Sequence, residues 1–188
     1  MSSNHSIGAM NQLADALDGA EFSPDYVTKL RQYKDLRKIK LLLDGCAELV
    51  QIKHLIDCDA QPFTPDGWTI EMHCKGGVWE WNPEKISLYL SERQKDGKVI
   101  NGNELRKDLE NMQTLNANVL DYLLKNPQLI PEDWKGKAVF FWGTIYRDSG
   151  GDLCVRCLDW DGSQWNWLYD CLGLDFRDDF PAALLASN

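Results

Sequence analysis

The fold of this chain is decided by AVFFWGTIYRDSGGDLCVRCLDWDGSQWNWLY, residues 138–169. Segments 138–146, 153–160 and 164–169 are rich in aromatic and β-branched residues, the composition that strands favour. They are joined by two typical turn sequences, Asp148-Ser149-Gly150-Gly151 and Asp161-Gly162. Short turns between consecutive strands predict an antiparallel three-stranded meander.

The Asp161-Gly162 turn also predicts how the last two strands pair. As a two-residue type I′ turn, it places Arg156 opposite Trp167. Because side chains alternate between the two faces of a strand, one face then carries Arg156, Trp165, Trp167 and Tyr169. We expect a cation–π contact between Arg156 and Trp167 on this face.

Two interpretations of this aromatic face are open. Flat rings on a sheet can stack on bases or sugars while an arginine adds polar contacts. This predicts a ligand-binding surface made of Arg156, Trp165, Trp167 and Tyr169. Aromatic side chains on strands are more often packed, so the alternative is a core covered by helices within residues 103–125. Exposed tryptophans would favour the surface, and buried ones the core.

Two helices are predicted immediately before the meander. Asn103 can cap the first helix, which has apolar residues on one face. Asn116 or Asn118 can cap the second, which must end before Pro127. Both helices therefore have one side suited to packing against the sheet.

The section before these helices predicts strands. Residues 68–73 and 78–81 lie on either side of Gly76-Gly77, which predicts a central β-hairpin. A short strand follows at residues 86–90. The fold class is therefore α+β, with N-terminal helices, a central β-hairpin and two helices, and a C-terminal antiparallel three-stranded aromatic meander.

The N-terminal section is predicted to be helical over residues 10–45. A strand is predicted over 48–57, and continuation of the helix past Gly45 is the competing interpretation. The expected organisation is a loose tail at 1–9, a small helical unit with one strand at 10–57, and an α+β domain at 58–188. A single continuous domain over 10–188 is the alternative.

The charge of the chain argues against a whole-protein grip on nucleic acid or on an anionic membrane. Its 188 residues include 29 acidic and 20 basic side chains, for a formal charge of -9. Residues 28–40 are locally basic, and Lys34, Arg37 and Lys38 are the candidate nucleic-acid contacts. Because the basic residues of this stretch do not share one face, a solvated helix surface is the preferred interpretation.

The six cysteines are expected to be reduced. No apolar run is long enough for a signal-peptide core or a membrane span, which predicts a cytoplasmic protein with no membrane partner. Cys154 and Cys157 have the C-x-x-C spacing of zinc sites, but on a strand they point to opposite faces. We therefore expect no metal and no cofactor.

A catalytic interpretation is the weakest. His73 and Cys74 are adjacent, and they would form a nucleophile and base only with residues from elsewhere in the fold. The sequence contains no phosphate-binding loop, dinucleotide fingerprint or nucleophile elbow. We expect no catalytic residue, and an enzyme of unknown class remains an alternative.

From about Met10 onward the chain resembles a family of uncharacterised bacterial proteins. The resemblance is prompted by three segments: LNANVLDYLLKNPQLIPEDWKGK at 115–137, FFWGTIYRDSGGDL at 140–153 and PAALLAS at 181–187. It implies a bacterial origin and assigns no residue a role.

Together these patterns predict a non-enzymatic cytoplasmic binding or interaction protein. Its candidate surface is the aromatic sheet face, and its partner is an unidentified protein or small molecule. Nucleic-acid binding through residues 28–40 is the alternative.

Overall fold

The computed structural model describes residues 6–50 and 52–186, and the contacts divide the chain into Met1–Ile52 and Lys53–Asn188. The described residues contain five α-helices and ten strands, so the α+β prediction is confirmed. The division falls before the first strand, Leu55–Asp57. That strand groups with the larger unit because it pairs with Val78–Glu80.

The N-terminal unit is helical. It contains α1 (Ile7–Gly19), α2 (Pro24–Gln32) and α3 (Leu36–Leu43), and no residue of these helices is buried. The loose tail predicted at residues 1–9 extends too far, because α1 already begins at Ile7. Ser6 caps this helix by accepting a hydrogen bond from the Ala9 N–H at 3.2 Å. Residues 1–5 of that tail lie outside the described residues. The strand predicted from residue 48 begins only at Leu55.

The larger unit contains the sheet and two further helices. The elements in chain order are β1 (Leu55–Asp57), β2 (Thr69–His73), β3 (Val78–Glu80), β4 (Ile86–Tyr89), β5 (Ile100–Asn101), α4 (Gly102–Asp108), α5 (Ala117–Lys125), β6 (Val139–Arg147), β7 (Leu153–Trp160), β8 (Trp165–Cys171), β9 (Asp175–Phe176) and β10 (Ala182–Leu185). Among the described residues, β4, β10, β6, β7 and β8 lie side by side, and β2 pairs with the second half of β6. The antiparallel meander is β6, β7 and β8, as predicted.

The predicted central β-hairpin is wrong, although both of its strands exist. β2 pairs with β6, and β3 pairs with β1. The chain leaves the main sheet after Cys74, whose N–H donates to Gly143 O at 2.7 Å. Gly77 O then accepts from the Cys58 N–H at 2.9 Å, and this hydrogen bond starts the pairing of β3 with β1. Each strand thus finds its partner far away in the sequence rather than across the glycine pair.

The predicted register of β7 and β8 is shifted by two residues, so that Arg156 lies opposite Tyr169 and Trp160 opposite Trp165. The turn is longer than two residues because Asp161 Oδ1 accepts from the Ser163 and Gln164 N–H groups at 2.8 and 2.9 Å. These two backbone donors, Gln164 foremost, lower the pKa of Asp161 to about 2. A shift of two residues keeps every side chain on its predicted face.

The sheet has a core on each side. One contains Val119, Leu120 and Leu123 of α5 against Phe141 and Leu158. The other contains Leu105 of α4 and Leu109, which directly follows that helix, with Phe140, Trp142, Val155 and Cys157. Alternate residues of β6 and β7 enter opposite cores, as the period of a strand requires. The first two strands of the meander, β6 and β7, are therefore covered on both faces, whereas β8 is only partly covered.

Gly143 lies where another segment crosses β6. The Gly143 N–H donates to Leu115 O at 2.9 Å, and the Leu115 N–H donates to Ala183 O at 2.9 Å. A Cβ at Gly143 would lie 2.8 Å from Thr114 O and 2.9 Å from Asn116 N. Only glycine leaves room for this crossing, which places the N-terminus of α5 against the sheet.

Candidate functional site

Arg156 is the most unusual residue of the sheet, because it is a charged side chain that is only 1% exposed. Its Nη2 donates to Asp121 Oδ1 of α5 at 2.8 Å. Its Nε and Nη1 are buried and make no hydrogen bond to any residue in the described part of the chain. Unpaired buried donors are uncommon and costly, so these two nitrogens, with their N–H groups, are a candidate ligand contact.

Aromatic rings surround the guanidinium. Its carbon lies 4.5 Å from the centroid of the Trp167 ring and 5.1 Å from that of Phe63. The cation–π contact predicted between Arg156 and Trp167 is therefore confirmed, and it is made diagonally rather than directly across the strands. The two rings meet edge to face at 6.1 Å. They keep the guanidinium out of water.

The Tyr146 hydroxyl lies next to this guanidinium. Burial raises the pKa of Tyr146, and the adjacent Arg156 opposes that rise. The hydroxyl donates its own hydrogen to Phe63 O at 3.0 Å. Tyr146 thus ties the loop that carries Phe63 to the sheet, and it positions the ring that covers Arg156.

A cleft of about 480 Å³ opens over this cluster. It lies between α5, the loop after β1 and the sheet, and its walls include Phe63, Asp121, Lys125, Arg156 and Trp167. Asp121 and Lys125 are four residues apart, so they lie on the same side of α5. Lys125 makes no ion pair with any described residue. The volume falls within the range of small-molecule sites.

The structure brings together two of the four predicted surface residues. Arg156 and Trp167 line the cleft, and Trp167 is half-buried. Trp165 is half-buried against Trp160, with ring centroids 5.5 Å apart. Tyr169 is 47% exposed and packs edge to face on Trp68 at 4.7 Å. The aromatic face is thus partly core and partly cleft wall.

Asp121, Phe63 and Lys125 were not predicted as site residues. The spacing of Asp121 and Lys125 on α5 is a usable signal, because it places both on one side of a helix whose opposite side is apolar. Phe63 stands in a loop between Pro62 and Pro65, and only the folded chain places it over Arg156.

The three candidate nucleic-acid contacts are all exposed. Lys34 lies in the turn between α2 and α3, while Arg37 and Lys38 lie in α3. Lys38 Nζ is 3.9 Å from Asp35 Oδ2. Their exposure fits both the solvated surface and the nucleic-acid interpretation.

His73 is held in a structural network. Its Nδ1 lies 2.8 Å from Thr144 Oγ1, and its Nε2 lies 3.0 Å from Cys58 O. A carbonyl can only accept, so Nε2 carries the hydrogen, and Nδ1 accepts from the Thr144 hydroxyl. Thr144 Oγ1 in turn accepts from the Ala117 N–H at 3.0 Å. Both ring nitrogens are thus engaged, and neither is left to activate Cys74.

Asn116 completes this network. Its Nδ2 donates to Cys58 O and Cys74 O, both at 2.9 Å, and its Oδ1 caps α5 by accepting from the Asn118 N–H at 3.1 Å. The side chain therefore joins the loop after β1, the end of β2 and the start of α5. This junction fixes α5 over the sheet and so positions Asp121.

Replacing Asn116 by aspartate should destabilise the protein by at least about 2 kcal/mol, because both donors are lost while the helix cap is kept. The carboxylate would also face two carbonyl oxygens. Asn118→Asp is the matched control, since Asn118 Nδ2 also donates to two carbonyls, of Asp57 and Ala60, but Asn118 is only partly buried and both hydrogen bonds are exposed. Urea denaturation of both variants measures the difference, and equal losses would contradict the assigned role of the buried junction.

None of the helices in the described part of the chain has the length and apolar character needed to cross a bilayer. Comparison of the chain with family models, with curated proteins and with solved structures finds no match.

Proposed function

We propose that this chain is a non-enzymatic cytoplasmic binding protein that holds a small, flat, acidic molecule in the cleft over Arg156. The observation that supports the proposal is the buried guanidinium, with two unpaired nitrogens, Nε and Nη1, at the base of a cleft lined by Trp167. All six cysteines are free, in keeping with a reducing compartment.

The chemistry of the walls selects the ligand class. Trp167 offers an apolar ring for stacking, and Phe63 covers the guanidinium from the loop side. Lys125 and the free N–H groups of Arg156 are donors, while the carboxylate of Asp121 already has a partner in Arg156. A ligand with a carboxylate or similar acceptor attached to a flat apolar body satisfies both the donors and the apolar ring.

Access to Arg156 depends on Phe63. The ring is 54% exposed, and it lies in a loop rather than in a strand or helix. A ligand would meet Trp167 and Lys125 first, and would reach the guanidinium when the Phe63 ring turns aside. The proposed site is therefore partly closed without ligand.

The experiment pairs acids with neutral analogues of the same shape. Benzoate, 1-naphthoate and indole-3-acetate are each compared with the corresponding alcohol by ligand-observed NMR and calorimetry. At least one acid should bind about 10-fold more tightly than its alcohol, which equals about 1.4 kcal/mol. Lys125→Glu should weaken the acid by a similar factor, and the exposed Lys98→Glu should leave it unchanged.

Equal binding of every acid and alcohol would contradict the proposal, and so would equal affinities in the Lys125 and Lys98 variants. Short DNA and RNA added to the same assay test the alternative. Salt-sensitive binding that is lost on replacing Lys34, Arg37 and Lys38 would favour nucleic acid. From the resemblance to uncharacterised bacterial proteins, we also propose that the chain is of bacterial origin.

A further inference from the structure

A second cluster of side chains lies where β7 begins and β8 ends, at the opposite end of these strands from the Asp161-Gly162 turn. The potential ligand atoms of Asp148, Cys154 and Cys171 all lie within 4.8 Å of one another. Cys154 is buried, and the other two residues are partly buried. The cluster thus reaches the surface, where an ion can enter.

The two cysteines face each other directly across the strands. The next pair of facing residues, Leu153 and Leu172, is a hydrogen-bonded pair, since the Leu172 N–H donates to Leu153 O at 2.7 Å. Cys154 and Cys171 therefore occupy a non-hydrogen-bonded position, where side chains approach most closely. The pairing of these two thiols comes from the sheet register and not from the C-x-x-C spacing.

Asp148 supplies a carboxylate that is already oriented. Its Oδ1 accepts from the Gly150 and Asp152 N–H groups, both at 2.9 Å, which fixes the side chain in the turn between β6 and β7. Its Oδ2 points toward the thiols and lies 3.9 Å from Cys154 Sγ. One oxygen holds the turn and the other faces the cluster.

We propose that Asp148, Cys154 and Cys171 bind a thiophilic divalent cation, of which Zn²⁺ fits the donor set best. Two thiolates and one carboxylate are familiar zinc ligands, and a fourth position stays open to water. Tetrahedral zinc places such donors roughly 3.5 to 3.8 Å apart, so the three side chains need only close inward slightly. Binding converts two thiols to thiolates and releases two protons to solvent.

Zn²⁺ titration of the reduced full-length chain tests this site. One equivalent should bind, and calorimetry in buffers of different ionisation enthalpy should report the release of two protons. Cd²⁺ should give the ultraviolet absorption of a cadmium–thiolate bond. Cys171→Ser should weaken Zn²⁺ binding by at least about 100-fold and Asp148→Asn by about 10-fold, because even the loss of an outer-shell partner of a metal ligand costs about 10- to 100-fold in affinity.

The control is the double variant Cys46→Ser/Cys74→Ser, which removes the two exposed thiols and should bind zinc normally. Asn at position 148 keeps the Oδ1 acceptor of the turn, so a loss of affinity there is not a loss of fold. Circular dichroism of each variant verifies this. The proposal is overturned if the reduced chain binds no Zn²⁺, if Cys171→Ser binds it normally, or if the double variant loses it.

Discussion

Asp121→Ala is expected to lower the free energy of unfolding by about 3 kcal/mol or more, because it leaves the Arg156 guanidinium buried without a carboxylate. Arg156 is 1% exposed, so water cannot replace the lost partner unless the structure opens. Removing one partner of a buried pair costs more than the pair itself contributes. Urea denaturation with an unchanged m-value measures the loss as a shift of the midpoint.

The control is to remove both charges. Asp121→Leu combined with Arg156→Met should recover most of the stability lost in Asp121→Ala, because an apolar pair has no unpaired charge. An acidic probe that occupies the cleft should stabilise Asp121→Ala more than the parent chain, since it supplies the missing negative charge. A single variant as stable as the parent would mean that Arg156 finds another partner.

Gly143→Ala is expected to destabilise the protein by about 3 kcal/mol or more, at the upper end of the cost of overpacking. The added Cβ would meet backbone at 2.8 to 2.9 Å, from Thr114 O to Asn116 N and the carbonyl carbon of Leu115. Backbone in a sheet crossing cannot turn aside as a flexible side chain can. The same change should shift Asn116, and with it the N-terminus of α5.

Gly173→Ala is the matched control, because a Cβ there meets no atom within 4 Å and the residue is exposed. Its effect should stay within about 0.5 kcal/mol, as for other unremarkable surface positions. Thermal and urea unfolding of the two variants compare a glycine needed for space with one that is not. Similar losses at both positions would contradict the crossing at Gly143.

The cleft could be predicted in part. Arg156 stands among apolar residues on a strand, and Trp167 lies on the same face because faces follow the two-residue period. A charge in such a place demands a partner, but which acid supplies it depends on where α5 crosses the sheet. Asp121 therefore could not be chosen over the many other acids of the chain before the fold was known.

The metal-ligand cluster illustrates the same limit. Spacing alone points to Cys154 and Cys157, which lie on opposite faces of β7. The facing pair is Cys154 and Cys171, and it depends on the register of β7 and β8. That register was predicted two residues away from its actual value, because the Asp161 carboxylate lengthens the turn.

The sequence by itself determined what depends on neighbours along the chain: the meander, the Asn116 cap of α5 and the face on which each strand residue lies. These follow from turn chemistry and from the periods of strands and helices, which act over a few residues. The predicted cap of α4 was wrong, because α4 begins at Gly102 and its cap is Asn101, whose side chain accepts from the Asn103 N–H. The tertiary structure alone decided the pairing of β2 with β6 and of β1 with β3, the position of Asp121 beside Arg156, and the crossing at Gly143. Contacts of this kind join segments that are distant in sequence, and they are selected by packing of the whole core rather than by any local preference.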